Sequence, residues 1–158
     1  MARVVTVTVS DGHQGAKDTS GPALTDVITK AGHAVLRHET APNDADAIRA
    51  LALRLAGEAD AVVLTGGTGL GPKDVTVETV EALFEKKLDG FGEAFRRASW
   101  DQIGPRAILS RATAGIVGGC LVVALPGSTK AVTLGAELLC PVLDHAVEVA
   151  RGRATKHQ

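Results

Sequence analysis

The stretch VVLTGGTGLGPKDVT, residues 62–76, runs from a short apolar segment into four glycines within six positions, then into Lys73 and Asp74. Residues 60–65, DAVVLT, are of strand length and apolar enough to be buried on both faces. Glycines at the exit of such a strand let backbone N–H groups approach a ligand with no Cβ in the way. Working outward, Val4–Val9 is a second β-branched run, ending at SDGHQG (10–15). Ser20, Gly21 and Pro22 then signal a helix start, and Ala23, Leu24, Val27, Ile28 and Ala31 recur with helical spacing until Gly32. HAVLRHET (33–40) reads as a strand. PNDADAIRALALRLAG (42–57) reads as a helix, with Asn43 or Asp44 available as its cap and Gly57 at its end. Strand, helix, strand, helix, strand in this order implies right-handed crossovers and a parallel sheet.

The later half is less regular. Residues 76–85 are expected to be helical, as are residues 90–104, which carry Phe91, Phe95 and Trp100. ATAGIVGGCLVVALPGS (112–128) reads as two strands about a Gly118-Gly119 turn, adding an antiparallel strand. One or two helices from Thr129 to Arg151, interrupted near Pro141, close the chain. No internal repeat or linker divides the sequence, so residues 1–152 are expected to form one domain and 153–158 a short polar tail.

With 45% apolar and 22% charged residues among 158, the chain can build a core. The net charge of −1, with both signs spread along the sequence, argues against a nucleic-acid binder and against electrostatic membrane docking. The N-terminus lacks a signal-peptide pattern, and charges return too often for a membrane span. Cys120 and Cys140 lie in apolar segments without metal-ligand spacing and read as buried free thiols, which suits a cytoplasmic location.

In an open α/β sheet, ligands sit at the carboxyl ends of the strands. Three small, polar segments leave strands here: residues 10–15, 65–74 and 125–130. A P-loop is excluded, because Pro72 separates Gly71 from Lys73 and Asp74 stands where Ser or Thr belongs. The dinucleotide fingerprint is absent after the first strand. Asp74 either caps a helix beginning near Thr76 or faces a ligand, and Asp44 has the same two readings. Two carboxylates on a shared crevice could hold Mg²⁺ together with ligand phosphates. Lys73 and Lys130 could offset phosphate charge or simply be solvated. Ser10 and Asp11 either cap a turn or touch the ligand. Glu93 and Arg97, spaced i, i+4, read by default as a surface ion pair. Ser110 lacks a nucleophile elbow. His13 alone among the histidines lies in a candidate site loop.

TGGTGLGPKDVT, followed by GFGEAFR, AILSRATAG and LPGSTKA, resembles the molybdopterin-binding domain of molybdenum cofactor biosynthesis, the MogA/MoaB type, over nearly the whole chain. The resemblance implies a three-layer α/β/α fold with a mostly parallel sheet, assembling as a trimer or a dimer of trimers. It also implies Mg²⁺-dependent transfer of AMP from ATP to the terminal phosphate of molybdopterin, releasing pyrophosphate, with the product passed to a separate molybdate-inserting enzyme. By this resemblance Thr65, Gly66, Gly67, Thr68, Gly69 and Lys73 bind pterin phosphate and nucleotide, and Asp74 matches the acidic residue after the glycine loop. Asp44 matches the second functional aspartate. That residue usually forms a Pro-Asp pair, and because Asn43 intervenes after Pro42, Asp46 is the alternative. Ser10, Asp11, Glu93, Arg97, Ser110, Pro126, Gly127, Ser128 and Lys130 fall in segments lining the family's pterin pocket. Two other readings stand beside it: a pterin-binding carrier without turnover, and a small phosphate-recognising enzyme acting on nucleotides.

Overall fold

A computed structural model describes residues 1–12 and 18–153. His13 and the polar tail from residue 154 lie outside the described residues. The chain runs through β1 (Arg3–Val9), α1 (Ser20–Lys30), β2 (Ala34–Ala41), α2 (Ala45–Ala56), β3 (Ala61–Thr65), α3 (Thr76–Glu81), β4 (Lys86–Lys87) and α4 (Asp89–Ile103). A 3₁₀ segment (Gly104–Leu109), β5 (Thr113–Val117), β6 (Cys120–Leu125) and α5 (Thr129–Ala150) complete it. The strands form one sheet in the order β2-β1-β3-β6-β5-β4. The pairings from β2 to β6 are parallel, whereas β5 runs antiparallel to both β6 and β4.

Strand alternation sends side chains to both faces of the sheet. On one face Val4, Val63, Leu121 and Val123 pack with Leu24 and Ile28 of α1, Phe95 of α4, and Val132 and Leu143 of α5. On the other face Val5, Val7, Val62, Leu64 and Val122 pack with Ile48 and Leu55 of α2 and Val80 of α3. Each such side chain gains about 1.5–3 kcal/mol over leaving it exposed. The architecture is therefore the expected three layers, with helices on both faces of a mostly parallel sheet.

Two expectations change. The last helix is not interrupted: α5 runs 22 residues with Pro141 inside it. Pro141 removes one helical donor, but it sits on the exposed side. Leu139, Cys140, Leu143 and Val147 continue one buried face across it, holding both halves against the same core. The helix expected over 76–85 ends at Glu81, and the chain then pairs with β5. Glu85 N–H donates to Ile116 O (2.8 Å) and Leu88 N–H to Ala114 O (2.8 Å). Phe84 lies against Gly115, filling the space a side chain there would need, and this contact draws the segment onto the sheet. The β5–β6 turn forms as expected, with positive φ at Gly118 and Gly119 (55° and 79°), as a two-residue hairpin requires.

Candidate functional site

β1, β3 and β6 are parallel, so Ser10, Gly66 and Pro126 leave the sheet along one edge. The β3 and β6 exits are tied to each other, and the β1 exit to the end of β2. Ser10 N–H donates to Ala41 O (3.0 Å), Gly66 N–H to Leu125 O (3.0 Å), and the buried Thr65 hydroxyl to Pro126 O (3.1 Å). Gly66 has φ 99°, and a Cβ there would collide with the Val9 carbonyl, so only glycine lets β3 turn this close to β1. A hollow of about 370 Å³ opens here, lined by Thr8, Ser10, Asp18, Ser20, Gly66 and Gly127.

Asp74 does not cap α3, whose cap position is Val75 with no side-chain bond. Its Oδ2 instead accepts from Gly71 N–H (3.0 Å), and Asp74 N–H donates to Gly71 O (3.1 Å). A Cβ on Gly69 or Gly71 would lie 2.8 or 2.9 Å from that oxygen, so the carboxylate is seated between two glycines. The far side of the loop is held by a residue that sequence reasoning missed. Arg111 donates from Nε to Thr68 O (3.2 Å), from Nη2 to Gly69 O (2.7 Å), and from Nη1 to Glu78 Oε2 (2.8 Å). Glu78 is held below the usual glutamate range by this hydrogen bond, and Arg111 is raised by its partner. Only a planar five-donor fork serves two carbonyls and a carboxylate at once. The position follows Ser110 in AILSRATAG, so the motif contained it, but nothing local said that it would face the glycine loop.

Arg111 also lines a second hollow, of about 630 Å³, with Glu81, Lys87, Glu93, Arg96 and Ser110. Ser110 Oγ accepts from Ala112 N–H (3.4 Å), while Arg96 Nη1 lies 3.4 Å from Ser110 O. The glycine loop thus lines the first hollow with Gly66 and is joined to the second by Arg111, which holds Thr68 O and Gly69 O and lines that hollow itself. The structure gathers Ser10, Thr65, Gly66, Pro126 and Gly127 about the first, and Glu93 and Ser110 about the second. Arg97 lies apart, exposed, on a hollow it shares with Gly90, Asp101 and Leu138.

The remaining candidates have local partners. Asp44 caps α2, its Oδ2 accepting from Ala47 N–H (2.9 Å), and Asp46 lies in the first turn of that helix, exposed. Asp11 Oδ1 accepts from Asn43 N–H (2.9 Å), tying the β1 exit to the β2–α2 loop. Ser128 caps α5, accepting from Ala131 N–H (3.1 Å). Lys73 and Lys130 are exposed.

Asp18 was also missed. It takes Thr8 Oγ1–H (2.5 Å), Gly21 N–H (2.8 Å) and Ser20 Oγ–H (3.2 Å), and lies 3.3 Å from His38 Nε2. Burial pushes its pKa up, but these hydrogen bonds and His38 outweigh burial and leave it below the usual carboxylate range. The three donors come from β1 and α1, and His38 of β2 adds a fourth partner, a convergence that spacing alone does not reveal.

A mostly parallel sheet whose exit edge carries a glycine loop beside two polar hollows has the form of a small-ligand-binding protein. Residues 4–145 match the family model described as "Probable molybdopterin binding domain", and the chain belongs to that family. It is 40% identical over 155 residues to molybdenum cofactor biosynthesis protein B of Bacillus subtilis (strain 168), covering 96% of this chain and 91% of that one. It is also 40% identical over 152 residues to the molybdopterin adenylyltransferase of Pyrococcus furiosus, covering 92% and 89%. A crystal structure of molybdenum cofactor biosynthesis protein B superposes with a TM-score of 0.89 at 37% identity, covering 95% and 96%. Among the described residues no helix is long and apolar enough to cross a membrane.

Proposed function

We propose that the protein acts in molybdenum cofactor biosynthesis, transferring AMP from Mg-ATP to the terminal phosphate of molybdopterin. An oxygen of the pterin phosphate attacks the α-phosphorus of ATP. The bond from that phosphorus to the bridging oxygen breaks, and pyrophosphate leaves with the electron pair. The attacking phosphate is already anionic at neutral pH, so no covalent nucleophile or general base is needed. Positioning and charge compensation supply the catalysis. The supporting observation is a glycine loop that lines one hollow and is clamped by Arg111 of the other, which suits two substrates meeting beside one backbone cradle. The adenylyltransferase among the relatives supports the reaction type.

Thr65 to Gly69 would cradle the phosphates, with Lys73 and Lys130 offsetting charge from the rim. Ser10, Asp11, Pro126, Gly127 and Ser128 would line one side, and Glu93 and Ser110 the other, while Arg97 faces a separate hollow. The donor set fits Mg²⁺ only as an ion carried by the nucleotide. Among the described residues no group of three or more His, Cys, Asp or Glu side chains could hold a metal, whereas Mg²⁺ needs just one or two carboxylates beside substrate phosphates. Asp74 and Asp44 would hold it, and when bound it neutralises phosphate charge. A trimer or hexamer belongs to the same proposal, supported by exposed Trp100, Ile103, Ile108 and Leu109 at the end of α4 and in the 3₁₀ segment. So do a cytoplasmic location and hand-over to a molybdate-inserting enzyme.

One observation favours a second reading, a molybdopterin carrier without turnover: Asp44 is engaged as a helix cap. Asp74→Asn tests the choice. We expect pyrophosphate release to fall at least about 100-fold, while equilibrium binding of molybdopterin stays near that of the unaltered protein. Lost binding with normal turnover per bound pterin would contradict the catalytic assignment.

A further inference from the structure

Beside the glycine loop lie two polar atoms for which the described residues provide no partner. Thr76 Oγ1 and Asn43 Oδ1 are both buried and make no hydrogen bond among the described residues. The Thr76 residue is fully buried (0% exposed). The two atoms come from different elements, Thr76 from the first residue of α3 and Asn43 from the β2–α2 loop, yet they converge on one glycine. A Cβ on Gly67 would collide with Thr76 Oγ1 and would lie 3.0 Å from Asn43 Oδ1. Gly67 has φ 69°. It is held from the same side, since Thr76 N–H donates to Gly67 O (3.0 Å). Asn43 is fixed in turn by Asp11, which accepts its N–H (2.9 Å).

A buried hydroxyl or amide without a partner is costly, and native folds rarely keep one without reason. The neighbouring Asp44 uses one oxygen to cap its own helix, and the group that the β2–α2 loop turns toward Gly67 is the neutral Asn43 amide. Whichever way the amide is turned, its inner atom is polar. Thr76 can both donate and accept.

We infer that Asn43 and Thr76 form a neutral two-point hydrogen-bonding subsite behind Gly67 that positions an uncharged O–H or N–H group of the bound ligand. This rests on the proposed function, and it deepens it by adding Asn43 to the loop's contribution beside Asp44. A sugar hydroxyl of a nucleotide and a ring N–H of a pterin both carry the required chemistry.

The test uses Thr76→Val, Thr76→Ser and Asn43→Ala in the full chain. Calorimetric titrations are run with Mg-ATP and, separately, with molybdopterin, and thermal melting is followed alongside. Val matches Thr in shape and removes an unsatisfied hydroxyl, so Thr76→Val should melt about 3 °C higher. The same variant should bind one of the two probes about five- to tenfold more weakly, and which probe suffers identifies the source of the group. Thr76→Ser should keep binding within about twofold, because it retains the hydroxyl, and Asn43→Ala should weaken the same probe as Thr76→Val. If Thr76→Val and Asn43→Ala both bind both probes like the unaltered protein, the inference fails while the proposed function stands. A Thr76→Val protein that melts lower shows that the hydroxyl is already satisfied, and this also overturns it. If the unaltered protein binds neither probe, the proposed function falls, and the inference with it.

Discussion

The parallel and antiparallel halves of the sheet reach the candidate site from opposite chain directions and bring different chemistry. β1, β3 and β6 arrive by their carboxyl ends and contribute backbone: glycines, a proline turn and small hydroxyls. β5 runs the other way, pairing Thr113 with Ala124 of β6, so its amino end comes to the same edge. The residues entering β5 thereby bring the side chains Ser110 and Arg111 to a cradle made of main chain. An antiparallel strand beside parallel ones is thus a way to set a long cation against strand-exit loops.

The comparison can be broken from either half. The largest effect is expected on the parallel side. Gly66→Ala places a Cβ against the Val9 carbonyl at positive φ and should cost on the order of 3 kcal/mol in denaturant unfolding, with ligand binding lost. If it unfolds like the unaltered protein, the close approach of β3 to β1 is not needed. On the antiparallel side, Arg111→Ala should leave stability within about 1 kcal/mol, since its partner Glu78 is exposed (side chain 60%). It frees Thr68 O and Gly69 O, and pyrophosphate release should drop about 100-fold. Arg111→Lys should recover little, because one ammonium cannot serve three acceptors in the fork's geometry. Full recovery would reduce Arg111 to a point charge.

A smaller effect concerns acid stability. The Asp18 pKa is lowered by folding, so the unfolded chain takes up its proton at a higher pH than the folded protein does. Its stabilisation is complete above the ordinary carboxylate value of about 4 and is lost as pH falls below it. Asp18→Asn should flatten the fall in melting temperature between about pH 4 and pH 3. An unchanged slope would mean that other carboxylates carry it. The smallest effect is at Cys120, whose thiol burial pushes up to about 12. In the folded protein it should resist thiol reagents at pH 8, and fast labelling would show that the β6 core opens.

Much of the parallel half is legible in the sequence because its strands are continuous apolar runs, such as Val62–Leu64 and Leu121–Leu125, closed by glycine or proline. The antiparallel margin is not. β4 consists of two exposed lysines, and its pairing depends on Phe84 settling on Gly115, a contact set by tertiary structure. The glycine loop shows the same division. Its glycines announce a close approach, and the seating of Asp74 against Gly71 is made three residues away, yet the Arg111 clamp on Thr68 and Gly69 spans sequence separations of 43 and 42. Asp44 shows the converse: of the two roles open to it in the sequence, the helix cap is the one that local geometry displays, and it uses one of the carboxylate oxygens.

The central claim, two substrates joined across one glycine loop, is tested most directly by measuring pyrophosphate release from Mg-ATP with and without molybdopterin. The account predicts release only when both are present, in proportion to the pterin consumed. Release from ATP alone would contradict it in favour of a general nucleotide enzyme, and binding of pterin without any release would make the protein a carrier.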